Sequence, residues 1–292
     1  MMKKILFFII LIMIPASAYS WQQVSVEKHI DEEDSSKDVR DMVLDKGFRR
    51  AIGLEIDRLI PGKLSIERSS ALMNHLQGRV EDLVQGYRRT QWHQDDTVMG
   101  LDMEVDINVQ LLREILQESG VYYTSLTPLH YSLSTKGISL DAFSDLQRFQ
   151  LITGVTSDSE APTRLTIAYT PEKAWTGEIE HEQINLSVSG SELEDVWFDL
   201  WGYFFSRPDI VSIFVKEITL DTTGWPTIDY VRSFDSILMD WNEEVEKSEI
   251  VSIFTDIPSL MVTWNISTLN RDILIRRLDH FFDAREMSYN IR

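Results

Sequence analysis

The stretch Ile184-Asn185-Leu186-Ser187-Val188-Ser189-Gly190-Ser191-Glu192-Leu193-Glu194-Asp195-Val196-Trp197-Phe198-Asp199-Leu200-Trp201 changes its hydrophobic period part-way along, and the reading of the fold turns on that change. Ile184, Leu186 and Val188 alternate with polar residues, as a half-buried strand requires. Ser191 and Glu194 stand at the Ser-x-x-Glu spacing in which each side chain can satisfy an orphan N–H of a first helical turn. Leu193, Val196, Trp197, Leu200, Trp201 and Phe204 then recur at helical spacing, while Glu192, Asp195 and Asp199 fall on the other side. Arg207-Pro208-Asp209 closes the helix, and residues 210–220 read as a returning strand. This strand–helix–strand unit holds no nucleophile, base or phosphate loop. It predicts scaffold, with Trp197 and Trp201 inside the core.

Weaker copies of the pattern occur elsewhere. Leu260, Val262, Trp264 and Ile266 alternate, Ser267 can cap, Leu274, Leu278, Phe281 and Phe282 stripe a helix, and Met287, Tyr289 and Ile291 alternate again. A looser third copy runs from Tyr131 through a helix at 140–152 to a strand at 164–169. An internal duplication gives this pattern, and so does the physics of βαβ units alone.

The chain of 292 residues is 43% hydrophobic, enough for two or three ordinary domains. Residues 1–20 have the layout of a secretory signal: Lys3-Lys4, an apolar run at 5–14, and small residues around Ala16-Ser17-Ala18-Tyr19-Ser20. Cleavage after Ala18 or Ser20 and retention as an anchor are the alternatives, and the apolar run is short for a span. No later stretch is apolar enough to cross a bilayer, so no span is expected once the signal is removed. There are no cysteines, which excludes disulfides and cysteine-ligated metals and suits a bacterial envelope protein in the periplasm. The formal charge is −19, and loss of Lys3 and Lys4 takes it to about −21. That balance argues against nonspecific binding to nucleic acid or anionic lipid.

Residues 38–59 read as a long helix weakened by Gly47 and ended by Pro61-Gly62. A first strand read at Val24 and Val26 precedes it, followed by the acidic run 31–34 with Ser35 and Ser36 as candidate caps. A second helix is striped by Leu72, Leu76, Val80 and Leu83. Strands follow at 83–92 and 99–109, the latter alternating Leu101, Met103, Val105 and Ile107 with Asp102, Glu104 and Asp106. A helix at 109–118 closes this domain at Gly120.

This order, with Lys46-Gly47-Phe48-Arg49-Arg50-Ala51 in the long helix, Val84-Gln85-Gly86-Tyr87 in one strand and 99–107 in the next, resembles the N-terminal domain of FlgT, a periplasmic protein of the H-ring around certain bacterial flagellar motors. The resemblance covers residues 21–118 and implies a non-enzymatic envelope scaffold, with envelope or flagellar proteins as partners. Similar domains occur in other exported envelope proteins.

The linker at 125–128 leads to a helix capped by Ser139 and stopped by Gly154, then to a meander of strands at 164–169, 174–180 and 184–189 with turns at 171–173 and 181–183. The expected fold class is α+β: small mixed or antiparallel sheets, each covered by helices on one face, with βαβ-type units in the C-terminal half. The expected domains are 21–120, 125–220 and 221–292, the last a βαβ unit, with 242–249 a solvated connection or helix end.

Candidate chemistry is thin. The six histidines show no paired metal spacing, and His93 with Asp95 and Asp96 sits in a predicted hairpin turn. Glu178, Glu180 and Glu182 alternate, with His181 adjacent. They form either an oxygen-rich cation cluster or a solvent-facing strand whose like charges discourage aggregation. Trp175 and Trp225, near turns, are the expected exposed interface residues. No motif for a hydrolase, phosphate loop, dinucleotide site or zinc protease occurs, and no cofactor is implied. The sequence therefore predicts a non-enzymatic exported envelope scaffold or assembly factor. The alternative is a periplasmic module binding a small ligand or divalent cation.

Overall fold

The computed structural model describes residues 21–30, 36–95, 97–170, 174–241, 244–256, 259–285 and 287–292. The expected signal peptide, the acidic run with its Ser35 cap, Asp96 and the turn at 171–173 lie outside the described residues. The fold is α+β, with three small, mostly antiparallel sheets and helices packed alongside.

The described chain divides into two compact units. The first runs to Ala51 and resumes over Val84–Ile107; the second comprises Ile52–Leu83 and Asn108–Arg292. In the first, β1 (Trp21–His29), β2 (Val84–Gln94) and β3 (Val98–Ile107) make an antiparallel sheet in the order β1-β3-β2. The alternation read in β3 holds: Leu101, Met103, Val105 and Ile107 are buried and the acids between them are half-buried. Helix α1 (Ser36–Leu59) buries Val39 and Val43, and Gly47 lies so near the sheet that an added Cβ would stand 2.3 Å from the Met103 sulfur. The residue that weakens the helix is the one that allows its close packing.

The second unit carries the rest. Helices α2 (Ile66–His75), α3 (Val80–Leu83), α4 (Val109–Glu118) and α5 (Val121–Thr124) belong to it, and α2 packs on α6 (Leu140–Thr153) while α4 packs on α7 (Leu193–Phe205). Tyr122, Tyr123 and Thr124 of α5 are buried, and the expected linker at 125–128 that follows them is largely exposed. Ser139 caps α6 by accepting from the Ala142 N–H, and Gly154 ends it in the left-handed region at φ +72°.

A five-stranded sheet has the order β5-β4-β6-β7-β8: β4 (Leu129–Lys136), β5 (Val155–Ser157), β6 (Arg164–Tyr169), β7 (Trp175–His181) and β8 (Ile184–Gly190). Strands β4 and β6 are parallel neighbours joined across α6, a true βαβ crossover, and β6-β7-β8 is the expected meander. Helix α7 covers one face, with Trp197 and Trp201 fully buried as expected. The predicted Ser191–Glu194 box does not form. Glu192 is the N-cap residue without a side-chain bond, and Glu194 pairs instead with His75 Nδ1 at 2.8 Å.

The predicted returning strand at 210–220 is corrected by the structure. Pro208 at the first helical position starts α8 (Pro208–Phe214), so the largely apolar run 210–214, with β-branched Ile210, Val211 and Ile213, is helical, and the strand begins only at Lys216. That strand, β9 (Lys216–Trp225), joins another sheet, with β10 (Lys247–Asp256), β11 (Ser259–Thr268) and β12 (Ser288–Ile291) in the order β10-β11-β9-β12. With α9 (Ile228–Asp240) between β9 and β10 and α10 (Arg271–Asp283) between β11 and β12, the order along the chain is βαββαβ. This is the split βαβ, ferredoxin-like arrangement. Ile218, Leu220, Val262, Trp264, Phe234, Leu278 and Phe282 form its core.

Candidate functional site

Within the second unit a cleft of about 730 Å³ is walled by the ends of six elements. Its apolar walls are Tyr123 from α5, Leu129 from β4, Ile213 and Phe214 from α8, and the loop residues Leu126 and Leu269. Its polar groups come from chain positions far apart: Thr163 just before β6, His181 at the end of β7, Lys216 at the start of β9, and Arg271 and Asp272 at the start of α10. Asn270 holds this corner together. Its Oδ1 accepts from the Asp272 and Ile273 N–H groups, and its Nδ2 donates to the Pro61 carbonyl at 2.5 Å.

His181 is the buried polar centre. It is 9% exposed, its Nδ1 lies 2.8 Å from the Thr163 hydroxyl, and its ring meets Phe204 edge to face at 5.8 Å. The Thr163 hydroxyl, itself buried, fixes the orientation of the imidazole ring. His181 and Ile213 also line a second cleft of about 490 Å³ beside Arg207 and Asp209. Burial, and next the Glu246 carboxylate, push the Tyr123 hydroxyl up to about 12, so it remains protonated at neutral pH. His130 stands 3.8 Å from Asp158. Lys216 and Arg271 are exposed at the cleft and have no carboxylate partner among the described residues.

The residues singled out in the sequence fall elsewhere. Glu178 and Glu180 project from β7 on the face opposite buried Gly177 and Ile179, with Arg164 directly across from Glu180. Glu182 is not on the strand at all but in the following turn, at φ +50°. The three carboxylates do not assemble, and no group of three or more His, Asp or Glu among the described residues is placed to hold a metal ion. Asp95 is engaged in its own turn, accepting from the Thr97 and Val98 N–H groups, which hold its carboxyl below the usual range. Trp175 is half-buried, 4.7 Å from the ring of Tyr169. Trp225 is only 2% exposed: its indole donates to Thr222 Oγ1 at 2.6 Å and packs on Phe234, Trp264 and Phe282, so it is core and not an interface residue.

A different surface is apolar and open. Among the described residues, strand β10 is the edge of its sheet, paired with β11 only, and a bulge at Val251 interrupts the register. Val251 is 58% exposed and Phe254 63%, with Ile253 and Met261 beside them also exposed. No helix among the described residues is long and apolar enough to cross a membrane. No known family model matches the chain, and no curated protein matches it.

Proposed function

We propose that the chain is a non-enzymatic exported protein of the bacterial envelope, resident in the periplasm, which works by protein–protein association as a scaffold or assembly factor. Flagellar components are candidate partners on the resemblance of residues 21–118. The observation that carries the association is the β10 edge. An outermost strand with unpaired backbone groups, bearing Val251, Ile253 and Phe254, offers both the hydrogen bonds and the apolar contacts by which a partner strand is added to a sheet. Export rests on the leader-like residues 1–20, and sequencing the N-terminus of protein recovered from the periplasm tests it; a start at Tyr19 or Trp21 is expected.

The association is tested by crosslinking in isolated envelopes, with captured proteins identified by mass spectrometry. The native chain should capture defined envelope components. A Val251→Lys/Phe254→Lys variant should lose them while keeping its thermal midpoint, because exposed substitutions change stability by only about 0.5 kcal/mol. Recovery of the chain alone, at monomer mass, sinks the reading.

A further inference from the structure

We propose that the cleft at His181 binds a small organic monocarboxylate on an apolar body, its charge received by Lys216 and Arg271 and its body lying against Tyr123, Leu129, Ile213 and Phe214. The site has the composition of a small-ligand pocket: a volume within the usual range of several hundred Å³, largely apolar walls, and a few polar groups set at fixed points. The sign of the ligand follows from charge. In a chain of formal charge −19, two cations without carboxylate partners among the described residues meet at one cleft, and only Asp272 opposes them there. That balance suits one negative charge better than a phosphate dianion. An arginine fork and a lysine ammonium together supply the donors a carboxylate takes.

His181 sets a further requirement. Its Nδ1 is taken by Thr163, which leaves Nε2 as the nitrogen of a nine-tenths-buried ring that has no protein partner among the described residues. The buried side-chain polar atoms without a partner among the described residues are the Tyr131 hydroxyl and the Trp201 indole N–H, so Nε2 keeps access to solvent through the cleft, where a ligand atom can take the place of water at it. This site does not use the β10 edge, so the ligand proposal and the association proposal stand or fall separately.

The test is calorimetric titration of the full mature chain with decanoate and 3-phenylpropanoate, beside the matched neutral alcohols, inorganic phosphate, and a short apolar peptide with a free carboxyl terminus. Saturable binding of a carboxylate with one site per chain, about tenfold or more tighter than its alcohol, is expected. Because Lys216 and Arg271 are exposed, Lys216→Ala/Arg271→Ala should fold normally and should erase most of the preference for the acid. Ile213→Trp, also exposed, should weaken acid and alcohol alike by filling the cleft. Val251→Lys/Phe254→Lys should leave binding unchanged. The proposal is overturned by no saturable binding, by equal binding of acid and alcohol, by a preference for phosphate, by binding of the peptide alone, or by loss of binding in the β10 variant.

Discussion

Replacing Arg68 removes a cation that the second unit uses in an unusual way. The side chain is 9% exposed, yet its bonds go to neutral acceptors: Nε to the Ile152 carbonyl at 3.2 Å, Nη1 to the Thr124 carbonyl at 3.0 Å, and Nη2 to the Thr124 hydroxyl at 2.6 Å. Ile152 and Thr124 lie in the last turns of α6 and α5, where carbonyls lack helical partners and carry the negative end of the helix dipole. One guanidinium therefore caps two helix ends. Gly154 is fixed twice over, by its φ of +72° and because a Cβ there would stand 2.3 Å from Arg68 Nη2. Burial lowers the Arg68 pKa to about 10, so the group stays charged at neutral pH, and that desolvation cost is set against its bonds.

Hydrogen bonds to a charged donor contribute roughly 1.5–3 kcal/mol each, and leaving a buried acceptor without a partner costs about 1–3 kcal/mol. After subtraction of the desolvation cost, Arg68→Ala should destabilise by about 3–5 kcal/mol, close to what is lost when one member of a buried charged pair is removed. For a unit of this size each kcal/mol shifts the midpoint by about 2–4 °C, which gives a fall of roughly 6–20 °C. Urea unfolding followed by tryptophan fluorescence reads the change, with an unaltered slope showing that the unfolded state is the same. Arg68→Met decides the reasoning. Methionine fills the space without charge, and where a buried ion pair is concerned such a swap is often neutral. Here the acceptors are backbone carbonyls that no substitution removes, so Arg68→Met should still cost at least about 2 kcal/mol. A variant within about 0.5 kcal/mol of the native chain refutes the two-cap account.

Other outcomes follow from single contacts. Ser139→Ala should cost about 1 kcal/mol because its hydroxyl caps α6, whereas Ser191→Ala should be neutral within about 0.5 kcal/mol, and a loss at Ser191 like that at Ser139 would contradict the observed start of α7. Gly47→Ala should destabilise by about 1–3 kcal/mol despite its better helix propensity, since its methyl group displaces the Met103 sulfur; a more stable variant in urea would show that the sheet yields freely. Asp221 is held below its ordinary 3.8, first by the Arg292 hydrogen bond. Its contribution is therefore present above the usual carboxylate range and lost as the pH falls below 3.8, and Asp221→Asn should flatten the acid limb of the stability profile, a difference absent if the pair is screened in solution.

Local pattern carried the reading a long way. Strands β3, β6, β7 and β11 and helices α1, α4, α6, α7 and α10 announce themselves by period and by end signals such as Ser139 and Gly154, whereas Asn108, read as part of a strand, is the cap of α4. Helix α9 was not read from the sequence, although Val231, Phe234 and Leu238 recur at helical spacing. What period cannot tell is which sheet a strand joins. Strands β8 and β9 lie either side of α7 and look like the arms of one unit, yet β8 pairs with β7 and β9 with β11 and β12. Trp225 shows the same limit at the scale of a side chain. Between Gly224 and Pro226 it has the surroundings of an exposed turn, and only Phe234, Trp264 and Phe282, brought in from other elements, bury it.

The cleft is the extreme case. Its residues run from Pro61 to Asp272, and none of its groups has a partner in sequence that would mark it. His181 looked like the neighbour of a glutamate cluster because alternation along β7 was carried one residue too far, to Glu182 in the turn. The same alternation, stopped where the strand stops, puts His181 on the inner face with Ile179 and Gly177, against α7 and at the mouth of the cleft. The strand's end thus decides whether the histidine belongs to an acidic surface or to a buried site. That end is set by the hairpin turn, whose register with Ile184 is a pairing between strands and not a property of either one.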